Sequence, residues 1–369
     1  MRGSLGLVSD VQTPAWLVGS RRVGGAWADG FGAGSRGRVP EARPVSIVTP
    51  GPLGLTLAET DAAALLIRDA VPPTPAYRWP LLCERLGVDL TLKHENHTPL
   101  GAFKVRGGLT YVAALRKRAP HVTHLVCATR GNHGQSVAFA ASRAGLRATI
   151  VAPAGNSAEK NAAMRALGAE LVEHGRDFDE AKAHAARLLA TDASAEFVPS
   201  YHPDLVVGVA TYARELFAAG EFDVVYVPVG LGSGISGVIA VRDLLGLQTE
   251  IVGVVSERFP AYARSFARSE PIETESAETI ADGIAVRVPD PVALAVIRAG
   301  AARIVTVSED AIRQAMRWIF TDTHNVAEGA GAAAVAAIAS ERERLHGKRV
   351  AAILSGGNVD AEVFAAVLA

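Results

Sequence analysis

THLVCATRGNHGQSVAFAASRAGLRATIVAP, residues Thr123 to Pro153, is the stretch that decides the fold. A β-rich run, LVCAT, leads into a helical pattern from His133 to Ala144, and a second β-rich run, RATIVAP, follows. Two further runs, AELVEHG and EFVPS, alternate with helical patterns at Ser157 to Leu167 and Asp179 to Leu189. Strands alternating with helices imply right-handed crossovers and a parallel sheet. The block over residues 121–199 is therefore expected to be a four-strand α/β unit of its own.

The same rhythm runs outward on both sides. Downstream come a helix near Leu205 to Ala219, strand FDVVYVPV, a glycine turn, a helix over Ile235 to Leu245 and strand EIVGVVS. Strand RIVTV, helices over Glu309 to Phe320 and Gly329 to Ala339, strand RVAAILS and a closing helix complete the pattern. Upstream, apolar residues at helical spacing cover Thr56 to Ala70, and Val71 to Pro75 forces an extended segment before helical PLLCERLG. A short strand over Leu90 to Leu92 follows, then a helix over roughly Val105 to Lys117.

Composition narrows the function classes. With 369 residues and 49% hydrophobic content, the chain can form two domains, or one with a lid, around a substantial core. A net charge of -1 and a pI near 6.8 supply no field for gathering nucleic acid or an anionic membrane. Cys83 and Cys127 alone make no disulfide framework, which points to a reducing cytoplasm. No apolar run approaches the roughly 20 residues of a membrane span. Residues 1–54 are rich in glycine and arginine and lack periodicity, so a disordered tail is expected there. The Arg21-Arg22 pair lacks the apolar region that would follow it in an export signal.

Chemistry concentrates in TLKHENHTPLGAFKVRGGL, Thr91 to Leu109. Lys104 lies between Phe103 and the pair Gly107-Gly108, just after Pro99 and Gly101 end the preceding strand. A lysine amine becomes a Schiff-base former when desolvation lowers its pKa, and an apolar flank with close backbone approach supplies that desolvation. The plain alternative is a surface lysine opening a helix. His94, Glu95 and His97 invite a metal reading, but the stretch is non-helical and no second ligand cluster follows, so loop polar residues are expected.

Three more stretches each follow an expected strand. TRGNHGQS, Thr129 to Ser136, sets the amides of Gly131, Asn132 and His133 at a helix N-terminus, where anions bind, although Asn-His also serves as an ordinary cap. VGLGSG, Val229 to Gly234, is a glycine-rich strand-to-helix turn that admits a phosphate, a pattern common in α/β proteins. It lacks the lysine of a nucleotide-binding loop. SGGN, Ser355 to Asn358, follows the last strand.

Together with GAFKVRGG, these motifs resemble the pyridoxal-phosphate-dependent threonine and serine dehydratases, the fold-type II group that also holds serine racemase and the cysteine-synthase-like enzymes. The resemblance runs in order from about Pro73 onward. It implies an α/β fold of two parallel-sheet domains with pyridoxal 5'-phosphate between them: a large domain over residues 55–120 and 200–369, and a small lid over 121–199. It also implies a homo-oligomer, a dimer, and Lys104 as covalent anchor and general base. Phe103, Asn132, Gly230, Leu231, Gly232, Ser233, Gly234, Gly283, Glu328 and Ser355 are implied to surround the cofactor, and Thr129, Arg130, Gly131, Asn132 and His133 to hold the substrate. Gly283 and Glu328 would serve equally as a turn and a helix entry.

The sequence departs from the family pattern in places. Thr129 and Arg130 replace a serine and a small residue, and Leu231 and Ser233 interrupt a run of glycines, so Leu231 must point away from the phosphate. Ser355, by contrast, matches the pattern, and the resemblance implies that it sets a neutral hydroxyl against the pyridine nitrogen, which favours prompt loss of a β-leaving group. Glu257 matches one ligand of a family cation site, but FPAYA follows where its acidic partner would stand, so no metal is expected.

The reaction implied is dehydration and deamination of a β-hydroxy amino acid, L-threonine or L-serine, to a 2-oxo acid and ammonia. With the chain ending at Ala369, no C-terminal effector domain is expected. Three alternatives remain open: a larger substrate such as 3-hydroxyaspartate or phenylserine recognised through Arg130, a β-replacement synthase, and a cofactor-free binding protein on the same scaffold. Arginine stays protonated at any working pH, so Arg130 makes racemisation unexpected.

Overall fold

The computed structural model describes residues 53–275 and 277–369. The expected tail over 1–54 lies outside them, save for its last two residues. Among the described residues ten strands occur: β1 Ala76–Arg78, β2 Asp89–His94, β3 His124–Ala128, β4 Arg147–Ala152, β5 Glu170–Glu173, β6 Ala195–Phe197, β7 Val224–Pro228, β8 Glu250–Ser256, β9 Arg303–Val307 and β10 Arg349–Leu354.

They form two sheets. A six-stranded sheet runs β1-β2-β10-β7-β8-β9, parallel except for β1, and a four-stranded parallel sheet runs β5-β4-β3-β6. Every residue of β3 and β7 is buried. This is the signature of strands with helices on both faces, and it explains why they read as unbroken apolar runs. On the larger sheet, one apolar cluster gathers Leu92, Tyr226, Met316 and Val335, and a second gathers Val225, Ile239, Ile251 and Ile353.

In an open α/β sheet, ligands bind beyond the carboxyl ends of the strands where the strand order reverses. In the smaller sheet that reversal falls between β3 and β6, and in the larger one between β7 and β10. The three expected motifs occupy the loops leaving β3, β7 and β10. Topology alone thus brings Thr129–His133, Val229–Gly234 and Ser355–Asn358 to candidate binding positions.

The Lys104–Arg118 helix links the two layers. Its Tyr111, Val112 and Leu115 pack in the cluster of Leu125, Val137 and Ile150 on the four-stranded sheet. Fourfold alternation over 121–199 is observed as expected, with helices Asn132–Ala144, Ala158–Ala166 and Phe178–Leu189. The segment from 257 to 302, left blank by periodicity, contains helices Ala261–Arg268 and Pro291–Gly300. Asp290 caps the latter, accepting from the amides of Val292 and Ala293 ahead of a proline at the first turn.

One expectation is corrected. His94 and Glu95 are not solvated loop residues: both are fully buried. Arg106 Nε donates to Glu95 Oε2 over 2.7 Å and Arg106 Nη1 to Glu215 Oε1 over 2.6 Å, while Lys93 Nζ reaches Glu215 Oε2 at 2.6 Å. Burial, with His97 adding to it, pushes His94 down to about 4, and Trp79 Nε1 donates to its Nε2 at 2.9 Å. No group of His, Cys, Asp and Glu arranged for a metal occurs among the described residues.

Candidate active site

The three loops and Lys104 line one cleft of about 1310 Å³. Lys104 opens its helix directly after Phe103, whose backbone N–H donates to the Ser355 carbonyl at 3.1 Å. An isolated bridge between Ala102 and Gly356, and the Gly357 N–H to Gly101 carbonyl bond of 2.8 Å, extend the seam. The lysine is thus stitched to the end of β10. Its Nζ lies 5.3 Å from the centre of the Phe103 ring. Although the side chain opens onto the cleft, protein atoms crowd it, and this desolvation lowers its pKa to about 8 against a smaller opposing pull from Glu328.

The other two buried lysines differ. Lys93 lies in the Glu215 network described above. Lys160 pairs with Asp282 at 2.6 Å, and its carboxylate neighbours outweigh burial and hold its pKa up. Burial lowers Lys93 as well, against the pull of Glu95 and Glu215, but Lys93 does not line the cleft; Lys104 combines a lowered pKa with a place on it.

On one side of the cleft lies the glycine turn. Gly232, at φ +100, caps the Ser233–Leu244 helix, and a Cβ there would fall 2.7 Å from Ala293 Cβ. A Cβ on Gly230 would fall 2.5 Å from the Gly283 carbonyl oxygen. Glycine is therefore required at both positions, and the turn offers backbone amides at a helix N-terminus. Leu231 is half-buried against the apolar cluster containing Tyr262 and Ile297, and its carbonyl accepts from the Tyr262 hydroxyl at 3.0 Å. Ser233 is buried at the first helical position.

Opposite lies the loop after β3. The Thr129 hydroxyl oxygen accepts from the Gly131 N–H at 2.9 Å and the Gly134 N–H at 3.3 Å, so it braces the loop from within. Asn132 Nδ2 donates to Glu328 Oε1 at 2.8 Å, and Asn132 Oδ1 accepts from Asn358 Nδ2 at 2.8 Å. His133 is buried with its Nε2 3.1 Å from the Val198 carbonyl, and burial, helped by Lys104, lowers it to about 4, leaving the ring neutral. Arg130 is exposed at the cleft and enters no ion pair among the described residues.

Glu328 sits at the floor. It is 3% exposed, and burial raises its carboxyl to about 7 in spite of Lys160. Its Oε2 has no hydrogen-bond partner among the described residues. Sequence reasoning gave Lys160, Asp282 and Asn358 no role of their own, although Asn358 closes the SGGN motif and Asp282 precedes Gly283; GNSAEK carries no signal beyond ordinary helix and turn residues.

An amine that can be neutral, amides at a helix N-terminus in a cradle that side chains would fill, a buried hydroxyl at Ser355 and an orphaned carboxylate oxygen together fit a phosphorylated aldehyde cofactor. Residues 67–356 match the family model described as pyridoxal-phosphate dependent enzyme. The chain belongs to that family. Its cofactor is pyridoxal 5'-phosphate, and its fold is the fold-type II α/β architecture. It is 34% identical to the L-threonine ammonia-lyase of Thermotoga maritima over 83% of this chain and 76% of that one. It is 32% identical to the L-threo-3-hydroxyaspartate ammonia-lyase of Saccharomyces cerevisiae over 82% of this chain and 93% of the relative. The solved processed form of threonine deaminase isoform 2 from Solanum lycopersicum superposes with a TM-score of 0.78 at 28% identity, covering 89% of this chain and 98% of that one. The chain spans 62% of the length of the biosynthetic threonine dehydratase of Salmonella typhimurium.

Proposed function

We propose that the cleft holds pyridoxal 5'-phosphate on Lys104 and dehydrates and deaminates a β-hydroxy amino acid, L-threonine or L-serine, to a 2-oxo acid and ammonia. The observation that carries this reading is the position of Lys104, a desolvated amine between the glycine turn and the Asn132 loop. The names of the ammonia-lyase relatives support it.

Bound there, the cofactor supplies an electron sink for charge left at the substrate α-carbon. The amides of Gly232 to Gly234 would hold its phosphate, and Ser355 would face its ring with a neutral hydroxyl. Lys104, with a pKa near 8, has enough free amine at neutral pH to take the α-proton, and enough ammonium to return one. The Thr129–His133 loop offers amides for the α-carboxylate, and the internal brace from Thr129 keeps them fixed before substrate arrives. Loss of the α-proton and β-hydroxyl releases one water, and hydrolysis then takes one up and frees ammonia. The block over 121–199 serves as a lid, and the resemblance supports a cytoplasmic homodimer. Among the described residues no helix is long and apolar enough to cross a membrane.

A second reading is favoured by Arg130. A guanidinium at the cleft with no ion pair among the described residues suits a substrate with a second carboxylate, such as 3-hydroxyaspartate.

Release of 2-oxo acid from a panel of β-hydroxy amino acids tests the proposal. Wild type should be active and Lys104→Ala inactive, and borohydride reduction followed by peptide mapping should place the cofactor label on Lys104. A label on any other lysine, or trapping of the product only by an added thiol, would overturn it.

A further inference from the structure

We propose that Lys160 is a positioning residue whose charge fixes the orientation of the Asn132 side chain through Glu328, and so ties the four-stranded layer to the reaction centre. The inference rests on the cofactor-binding reading above.

The geometry is a chain of fixed polarity. Lys160 projects from the Ala158–Ala166 helix, and its side chain is 8% exposed. Its stem underlies the β3 loop: a Cβ on Gly131 would lie 2.5 Å from Lys160 Cδ, so no other residue fits above it. Its ammonium crosses to the larger sheet, 2.6 Å from Asp282 Oδ2 and 3.6 Å from Glu328 Oε2. The second distance is too long for a hydrogen bond but short for charge attraction. Ionised Glu328 only accepts, so the neighbouring Asn132 must present its NH2 to it and turn its carbonyl oxygen to Asn358. The order of polarity therefore starts at an ammonium two groups away from the amide it sets.

Without that ammonium, burial and Asp282 would act on Glu328 with only the charge of Lys104 left to oppose them. Glu328 would take up a proton, and the constraint on Asn132 would lapse. The charged or titratable groups facing Glu328 are Lys160 from the Ala158–Ala166 helix, Lys104 from its own helix and Asp282 from the turn beneath the glycine loop, with Asp360 acting on Lys160 at the start of the Ala361–Leu368 helix. Neighbouring ties hold the same seam: Ser157 Oγ donates to Asp360, the Ala361 N–H donates to Glu159 Oε1 at 2.8 Å, and Arg287 Nη1 donates to Asp179 Oδ2 at 2.7 Å.

The test uses the full chain with pyridoxal phosphate and L-threonine. Two quantities are followed against pH: cofactor affinity by absorbance titration, and kcat/KM. Lys160→Met should move the acid limb of both upward by about one unit or more, the effect of removing a close opposite charge, while borohydride still labels Lys104. Lys160→Arg should restore the wild-type limb. Glu328→Gln should abolish the limb, and adding Lys160→Met to it should cost less than threefold further. An unmoved limb in Lys160→Met, or additive losses in the double variant, overturns the proposal. Should Lys160→Met fail to fold, retention of the wild-type limb by Glu328→Gln overturns it independently. Absence of any label on wild-type Lys104 instead defeats the functional reading and leaves this outcome distinguishable.

Discussion

Phe103 donates its backbone N–H to the carbonyl of Ser355 at 3.1 Å, joining residues far apart in sequence beside Lys104. The bond holds the start of the Lys104 helix against the end of β10, so Lys104 can be replaced without loosening its own attachment.

That separation permits a test of the cost of burying Lys104. The amine has a folded pKa near 8 against an ordinary value of 10.5. Below pH 8 both states carry the proton, and the folded chain bears the full cost of the buried charge; the cost fades between pH 8 and 10.5. Lys104→Met should therefore stabilise the cofactor-free protein by about 1 to 3 kcal/mol at pH 7, and lose the rise in stability that wild type shows above pH 8. Urea unfolding at pH 7 and pH 10 measures both. A less stable variant at pH 7 would contradict the assignment.

The glycine turn can be probed at Gly234, where an added Cβ comes no nearer than ordinary contact: the Tyr212 hydroxyl at 3.4 Å, and Phe103 Cζ and Val227 Cγ1 at 3.8 Å. Gly234→Ala should leave cofactor-free stability within about 0.5 kcal/mol, since the position is helical. Cofactor affinity should fall about tenfold or more if the turn holds the phosphate. Unchanged affinity would mean that the phosphate sits elsewhere.

A larger structural loss is expected at Arg106. Both it and Glu95 are fully buried, so Arg106→Leu strands a carboxylate with no counter-charge of its own. The expected cost is about 3 to 5 kcal/mol. Chemical denaturation measures it, and a loss below about 1 kcal/mol would show that Lys93 shifts to cover Glu95.

Arg130 decides between the two substrate readings. If it grips a second carboxylate, Arg130→Ala should lower kcat/KM for 3-hydroxyaspartate about tenfold or more relative to threonine. A ratio that does not change assigns Arg130 no part in specificity.

The sheets were legible because β3, β7 and β10 are buried on both faces and read as continuous apolar runs, and because glycine or polar motifs follow each of them. Lys104 stood out only beside the three downstream motifs, because its apolar and glycine neighbours alone suit a surface lysine opening a helix equally well; the structure places it on the cleft with them. The buried set of Lys93, Glu95, Arg106 and Glu215 was not, because a charged residue in a short strand or turn looks solvated until a partner more than 100 positions away is brought beside it. Lys160 and Asp282 were hidden for the same reason. β1 escaped notice because the proline run before it allows no period to develop over three residues. Of the helices between 257 and 302, Pro291–Gly300 is marked by the Asp290 cap and its proline, whereas Ala261–Arg268 is two turns long and has no side-chain cap.

The position of β10 between β2 and β7 has a consequence for biosynthesis. The strand at the centre of the larger sheet is the last one synthesised, so β2 and β7 remain without their shared neighbour until residues 349–354 leave the ribosome. The four-stranded layer, made wholly of residues 124–197, is complete much earlier. A nascent chain can thus carry a finished four-stranded layer before the six-stranded sheet is complete, and exposed edges on β2 and β7 would make that interval the time at which a chaperone is most needed.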